Sequence, residues 1–115
     1  AGYQYLSDGT LVGRVINIDR FGNLITDIRD KEVAKGELAV QIGKFTITSL
    51  SRSYAEKEGL LAIIGSHDYL EIALQNGNAQ RYVNANIGDE VRVRVTSPEA
   101  SASSKPKLTN GNDPA

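Results

Sequence analysis

The sequence predicts an all-β fold: a small antiparallel β-barrel of about seven strands, followed by a disordered C-terminal tail. Two observations predict it. Apolar residues recur at every second position rather than at the 3.6-residue spacing of a helix, and segments bearing glycine, asparagine and aspartate break the apolar runs at short intervals. A third observation sets the scale. With 115 residues, 40% of them hydrophobic and 23% charged, the chain has the size and composition of one ordinary globular domain.

Taken in order, residues 1–10 read as a flexible lead-in, with Tyr3, Tyr5 and Leu6 placed to pack at an edge. Leu11–Ile18 is the first strand-like run, and the Phe21-Gly22-Asn23 turn leads to the second at residues 24–28. Residues 30–36 have room for a helical turn. Leu38–Ile42 follows as a strand, and after Gly43 the residues Phe45, Ile47 and Ser49 alternate with Thr46, Thr48 and Leu50. Leu60–Ile64 is a continuous apolar run. Beyond the turn at residues 65–68, Leu70, Ile72 and Leu74 alternate with Tyr69, Glu71 and Ala73. A second short helical stretch is expected at residues 78–83. Last, Val91, Val93 and Val95 alternate with Arg92, Arg94 and Thr96, as in a strand with one wet face. The barrel domain is thus expected over residues 11–96, with Ile16, Ile18, Ile28, Ile47, Ile63, Leu70, Ile72, Val91 and Val93 in its core. Residues 97–115 are rich in Ser, Ala, Pro, Lys, Asn and Gly, with Leu108 the one large apolar side chain, and are expected to be a disordered tail.

Composition excludes several functions. Thirteen Lys+Arg against 14 Asp+Glu give a net charge of -1, which argues against a general nucleic-acid binder, since that needs surplus cations on phosphates. No apolar run approaches a membrane-spanning helix, and no basic-then-apolar leader opens the chain, so a cytoplasmic protein without a membrane partner is expected. With no cysteine and one histidine, His67, neither a thiolate nucleophile, a disulfide nor a cysteine or multi-histidine metal site is expected. The start at Ala1 and the absence of methionine suggest a piece of something longer.

Three segments carry chemistry. In the first, Asp19 and Asn23 flank the glycine turn around Phe21, so their side chains are able to converge on a polar ligand; turn-stabilising bonds to nearby backbone are the competing reading. The second is Gly65-Ser66-His67-Asp68. Three neighbours on a tight turn point apart and do not build a nucleophilic triad, whereas a hydroxyl, an imidazole and backbone N–H groups suit an anion; an ordinary hairpin turn is the alternative. In the third, Tyr54 stands among polar neighbours before Gly59, offering a face to a flat ligand or resting half-buried with a wet hydroxyl.

Residues 13–28 (GRVINIDRFGNLITDI), 53–59 (SYAEKEG), 65–79 (GSHDYLEIALQNGNA) and 88–93 (GDEVRV) together resemble the C-terminal domain of the S-adenosylmethionine hydroxide adenosyltransferases, a family that includes the S-adenosylmethionine-dependent fluorinase and chlorinase. The resemblance implies a β-barrel beside a larger α/β N-terminal domain, a homotrimer, and an active site between the N-domain of one subunit and the C-domain of its neighbour. It implies that Asp19 holds the methionine ammonium and that Phe21 and Asn23 lie at the adenine. Tyr54 then forms the aromatic platform on the adenine's other side, Ser66 and His67 receive the methionine carboxylate, and backbone around Asn76 meets the adenine edge. S-adenosylmethionine enters as a substrate, with no cofactor. Three positions depart from the family's usual pattern: Asp68 stands where glycine is usual, His67 where some members carry a permanent arginine cation, and Asp27 where asparagine is usual. These changes bear on ligand affinity more than on the fold.

The leading expectation is therefore the substrate-binding C-terminal domain of an S-adenosylmethionine hydrolase-type enzyme, inactive by itself, with water rather than halide as nucleophile. Its site turns are expected at one end of the barrel. A free-standing β-barrel interaction module that has lost the activity is the alternative, and an oligonucleotide-binding small barrel a weaker one.

Overall fold

The computed structural model describes residues 2–33 and 38–95. The expected C-terminal tail, and the end of the first helical stretch, lie outside the described residues. Among the described residues nine strands occur, in the order β1 (Gln4–Tyr5), β2 (Leu11–Ile18), β3 (Leu24–Arg29), β4 (Leu38–Ile42), β5 (Phe45–Ile47), β6 (Leu50–Ser51), β7 (Leu60–Ile64), β8 (Tyr69–Leu74) and β9 (Glu90–Val95). A 3-10 turn, Asp30–Glu32, follows β3, and one short helix, α1 (Ala79–Val83), follows β8. Across the sheet the order is β5-β4-β9-β2-β3-β8-β7-β6, with β1 also on β2. Every pairing is antiparallel except the two-residue β6–β7 ladder. The sheet coils until β5 comes beside β7, giving a nearly closed barrel.

Closure comes from two irregularities. Val15 pairs with Thr26 but Asn17 pairs with Ile25, so β2 carries one extra residue at Ile16. A bulge of this kind bends the strand and reverses its inside–outside alternation. Before it, Leu11 and Val15 face the core; after it, Ile18 packs against the core. Ile16 itself is expelled and stands 46% exposed, which corrects its expected core position. The second irregularity lies between Ile25 and Arg29 of β3 opposite Glu71 and Tyr69 of β8. There the buried Thr26 hydroxyl donates to Leu70 O at 2.7 Å and accepts from Ile28 N at 3.1 Å, taking over bonds that the ladder lacks.

The edge of β2 is completed from three sources. β3 covers residues from Val15 onward, the Asp27 carboxylate accepts from Arg14 N at 2.9 Å, and β1 pairs with Leu11 and Val12. Gly13 makes this possible, because a side chain there would collide with Asp27 and Ile28. The lead-in thus contains a strand, which the phenols of Tyr3 and Tyr5 pin to Glu32 at 3.0 and 2.5 Å.

The barrel interior holds the remaining expected core residues Ile28, Ile47, Leu70, Ile72, Val91 and Val93. Ile63 is buried elsewhere, with Leu61 and Ala73 on the opposite face of β7 and β8. That face lies under the loop carrying Tyr54 and Ala55. A strand covered on both faces reads as a continuous apolar run, which explains the sequence of β7.

Candidate functional site

Asp19 organises the β2–β3 turn. Its Oδ1 accepts from the backbone N–H of Phe21 and of Asn23, both at 2.9 Å, and its Oδ2 accepts from Asn23 Nδ2 at 3.0 Å. These bonds fix the Asn23 amide while leaving its oxygen and one N–H hydrogen free. Gly22, at φ 85, brings its carbonyl within 2.9 Å of Gln80 N. The Asn78 side chain fills the space beside Gly22 that a Cβ would take. Asn78 also caps α1 by accepting from Arg81 N at 2.9 Å, and Asn84 closes the helix in the left-handed region. Helix α1 is therefore locked to the Asp19–Asn23 turn, which sets the loop at Asn76 beside Asn23.

The result is a cleft of about 220 Å³ lined by Asn23, Tyr54, Ala55, Ala73, Leu74, Gln75 and Asn76. Three sequence-predicted residues, Asn23, Tyr54 and Asn76, thus meet in one place. Tyr54 donates its hydroxyl to Glu71 Oε1 at 2.9 Å. Burial, then the bond to Glu71, then the negative charges of Glu71 and Asp19 push its phenol up to about 12. Asn76 sits at φ 57 in the tight turn that ends β8, the left-handed region asparagine tolerates.

The other predicted residues lie apart from this cleft. Phe21 is 61% exposed, with the Arg20 guanidinium 4.9 Å from its ring centroid, and it does not line the cleft. Ser66 and His67 are exposed on the turn at the opposite end of β8, with Ser66 Oγ and His67 Nδ1 3.4 Å apart. Asp68 occupies that turn's left-handed position at φ 66, the geometry glycine would otherwise supply. The turns do not gather at one end. They are strung along β8, and the four-residue step from Tyr69 to Ala73 spans roughly 13 Å. Glu71 bridges the gap, reaching Tyr54 on one side and lying over Gly65 on the other.

Glu71 was missed in the sequence. The signal was present, since alternation along Tyr69–Leu74 puts Glu71 and Ala73 on the same face, but an acid on a wet face ordinarily means solvation. Gln75 and the Gly22–Asn78 contact carried no local signal.

A larger cleft, about 320 Å³, lies between Gln41, Gly43, Asp89, Glu90 and Arg92. Glu90 there is paired to Arg92 at 3.2 Å and to Arg14 at 3.5 Å, Asp89 accepts from Asn86 N at 2.8 Å, and none of the predicted site residues lines the cleft. Among the described residues no group of His, Cys, Asp or Glu is placed to hold a metal ion, and no helix is long and apolar enough to cross a membrane. The smaller cleft combines an aromatic wall, a fixed amide and a backbone turn, which suits a flat, edge-polar ligand.

Comparison with known proteins identifies the family of the domain. Residues 13–92 match the family described as the SAM hydroxide adenosyltransferase C-terminal domain. The chain is 34% identical over 90 residues to the (R)-S-adenosyl-L-methionine hydrolase of Methanocaldococcus jannaschii, a match covering 70% of this chain and 34% of that protein. Among solved structures, an uncharacterized conserved protein from Thermotoga maritima is similar at TM-score 0.62 and 26% identity, over 73% of this chain and 36% of that one. A conserved hypothetical protein from Thermus thermophilus is similar at TM-score 0.60 and 30% identity, over 72% and 34%. The chain thus spans about a third of the length of these relatives. Its strands, its β2–β3 turn and its match over residues 13–92 make it a member of the S-adenosylmethionine hydroxide adenosyltransferase C-terminal domain family.

Proposed function

We propose that this chain is the substrate-binding domain of an S-adenosylmethionine hydrolase-type enzyme and supplies the adenine and methionine half of its site. The observation that carries the reading is the cleft that draws Asn23, Tyr54 and Asn76 from three separate loops onto one face of β8. Adenine offers a π-face to Tyr54 and hydrogen-bonding edges to Asn23 and the backbone at Asn76. The roughly 13 Å along β8 from Ala73 to Tyr69, with the Ser66–His67 turn beyond it, suits a two-ended ligand lying on the strand and presenting its methionine carboxylate to that turn. The family resemblance would put Asp19 at the ammonium and Phe21 at the adenine; here the Asp19 carboxylate is bonded to Phe21 N, Asn23 N and Asn23 Nδ2, and Phe21 stands outside the cleft.

In the whole enzyme S-adenosylmethionine and water yield adenosine and methionine. The C5′–sulfur bond breaks with its electron pair going to sulfur, a C5′–oxygen bond forms, and the water releases one proton. This chain's part is to bind and orient the substrate. The attacking water is aimed by an α/β N-terminal domain, in a cytoplasmic homotrimer whose site lies between subunits, and the reaction needs no cofactor.

Adding adenosine, then methionine, to isotope-labelled chain and following backbone amide signals tests this. An open half-site buries little of a ligand, so millimolar affinity is expected. Adenosine should shift signals at Asn23, Tyr54 and Asn76, and methionine those at Ser66 and His67. Asn23→Ala should weaken the first response and Ser66→Ala the second. Shifts confined to Arg92 and Arg94 on adding an oligonucleotide would favour the nucleic-acid reading, and silence with all three ligands the interaction-module reading.

A further inference from the structure

We propose that Glu71 is the positioning residue of the adenine cleft: its carboxylate, set over side-chain-free Gly65, holds the Tyr54 ring in place as the cleft wall. The inference rests on the reading of this cleft as an adenine site and adds to it a residue that does not itself line the cleft.

Tyr54 belongs to a loop that is tied at its base by Gln75 N donating to Gly59 O at 3.3 Å and whose tip otherwise bonds locally. Arg52 N donates to Glu56 Oε1 at 2.6 Å, and Glu56 N to Ser53 O at 3.3 Å. Among the described residues, the side-chain bond that ties the loop's tip to the sheet is Tyr54 to Glu71. The partner end is rigid, because Glu71 sits in the middle of β8, flanked by Ile25 of β3 and Ile63 of β7. Gly65 does not take a positive φ, so its backbone does not call for glycine. What the missing side chain supplies is space: a Cβ at residue 65 would displace the Glu71 carboxylate from where it now lies. Gly65, Glu71 and Tyr54 thus form one device, in which a missing side chain sets a carboxylate and the carboxylate sets a ring. A wall fixed before the ligand arrives spares the ligand the cost of ordering it.

The test uses the 115-residue chain with Glu71→Ala, Glu71→Gln, Gly65→Ala and Tyr54→Phe. Gly65→Ala moves the carboxylate without removing it, and Glu71→Gln keeps shape and an acceptor oxygen. Adenosine affinity should fall about fivefold in Glu71→Ala, Gly65→Ala and Tyr54→Phe, the size of one net hydrogen bond, and recover in Glu71→Gln. Combining Glu71→Ala with Tyr54→Phe should cost no more than either alone. The Tyr54 phenol, followed by ultraviolet absorbance and identified by its loss in Tyr54→Phe, should titrate below about 12 in Glu71→Ala, yet above 10.0 because burial persists. Additive losses, or a wild-type adenosine response that Glu71→Ala leaves untouched, would overturn the role of Glu71 alone. No adenosine response in the wild-type chain would overturn the adenine reading and this role with it.

Discussion

Thr26 shows how much a single side chain decides in a small barrel. It is fully buried, and its hydroxyl serves Leu70 O and Ile28 N at once, where the β3–β8 ladder changes register. Thr26→Val keeps the shape and orphans both backbone groups. The expected loss is about 1–3 kcal/mol of stability, read as a lower urea midpoint with an unchanged slope. Asp19 is the site's counterpart. Its three short bonds to Phe21 and Asn23 are ordinary turn chemistry, and the same bonds orient the Asn23 amide. The turn-stabilising reading and the proposed ligand-binding reading of that residue are therefore compatible.

At the level of the element, β1 is two residues long and cannot hold itself on the sheet by ladder bonds alone. Its hold depends on the Tyr3 and Tyr5 phenols meeting Glu32, and that clasp is sensitive to pH on both sides. The hydrogen bond from Tyr5, followed by that from Tyr3, lowers the Glu32 carboxyl from its ordinary 4.5, so its contribution is present above that pH and is lost as pH falls. The bond to Glu32 raises the Tyr5 phenol from 10.0 to about 12, so its contribution is complete below pH 10.0 and is lost as pH rises through about 12. Tyr3 and Tyr5 ring signals should therefore hold their native shifts between these limits and change outside them. In Glu32→Gln the acid-side change should vanish; its persistence would show that another group holds β1. Helix α1 is the same kind of element. Five residues cannot form a stable helix in isolation, and capping by Asn78 together with docking on Gly22 hold it in place.

At the level of the molecule, the barrel carries the proposed adenine cleft on the outside of β8, walled on one side by the Tyr54 loop and open on the other. A one-sided site neither excludes water nor aims a nucleophile, and among the described residues no nucleophile stands in a closed pocket with a base. Ser66 and His67 are sequence neighbours on an exposed turn, 3.4 Å apart at the edge of hydrogen-bonding range. The isolated chain is therefore expected to form no adenosine or methionine from S-adenosylmethionine, measured by chromatography after prolonged incubation. Turnover that disappears in Asp19→Ala would place the catalytic groups in this chain after all.

The all-β class and the strand positions were legible in the sequence because side-chain period is a local property. Leu11–Ile18, Leu38–Ile42 and Leu60–Ile64 appear with the ends that alternation and turn residues predict. The turns that carry Asp19, Asn23 and Asn76 were legible as well, since turn chemistry lies within a few residues. What the tertiary structure alone decided is where the period breaks and what meets across the sheet. The bulge that turns Ile16 outward is defined by the partner strand, and nothing in LVGRVINI announces it. β1 and β6 are too short to show a period. The acid at residue 71 looks like a solvated face until the Tyr54 loop, seventeen residues earlier, is seen folded over it. Alternation reports which way a side chain points; only packing between distant segments reports what it points at.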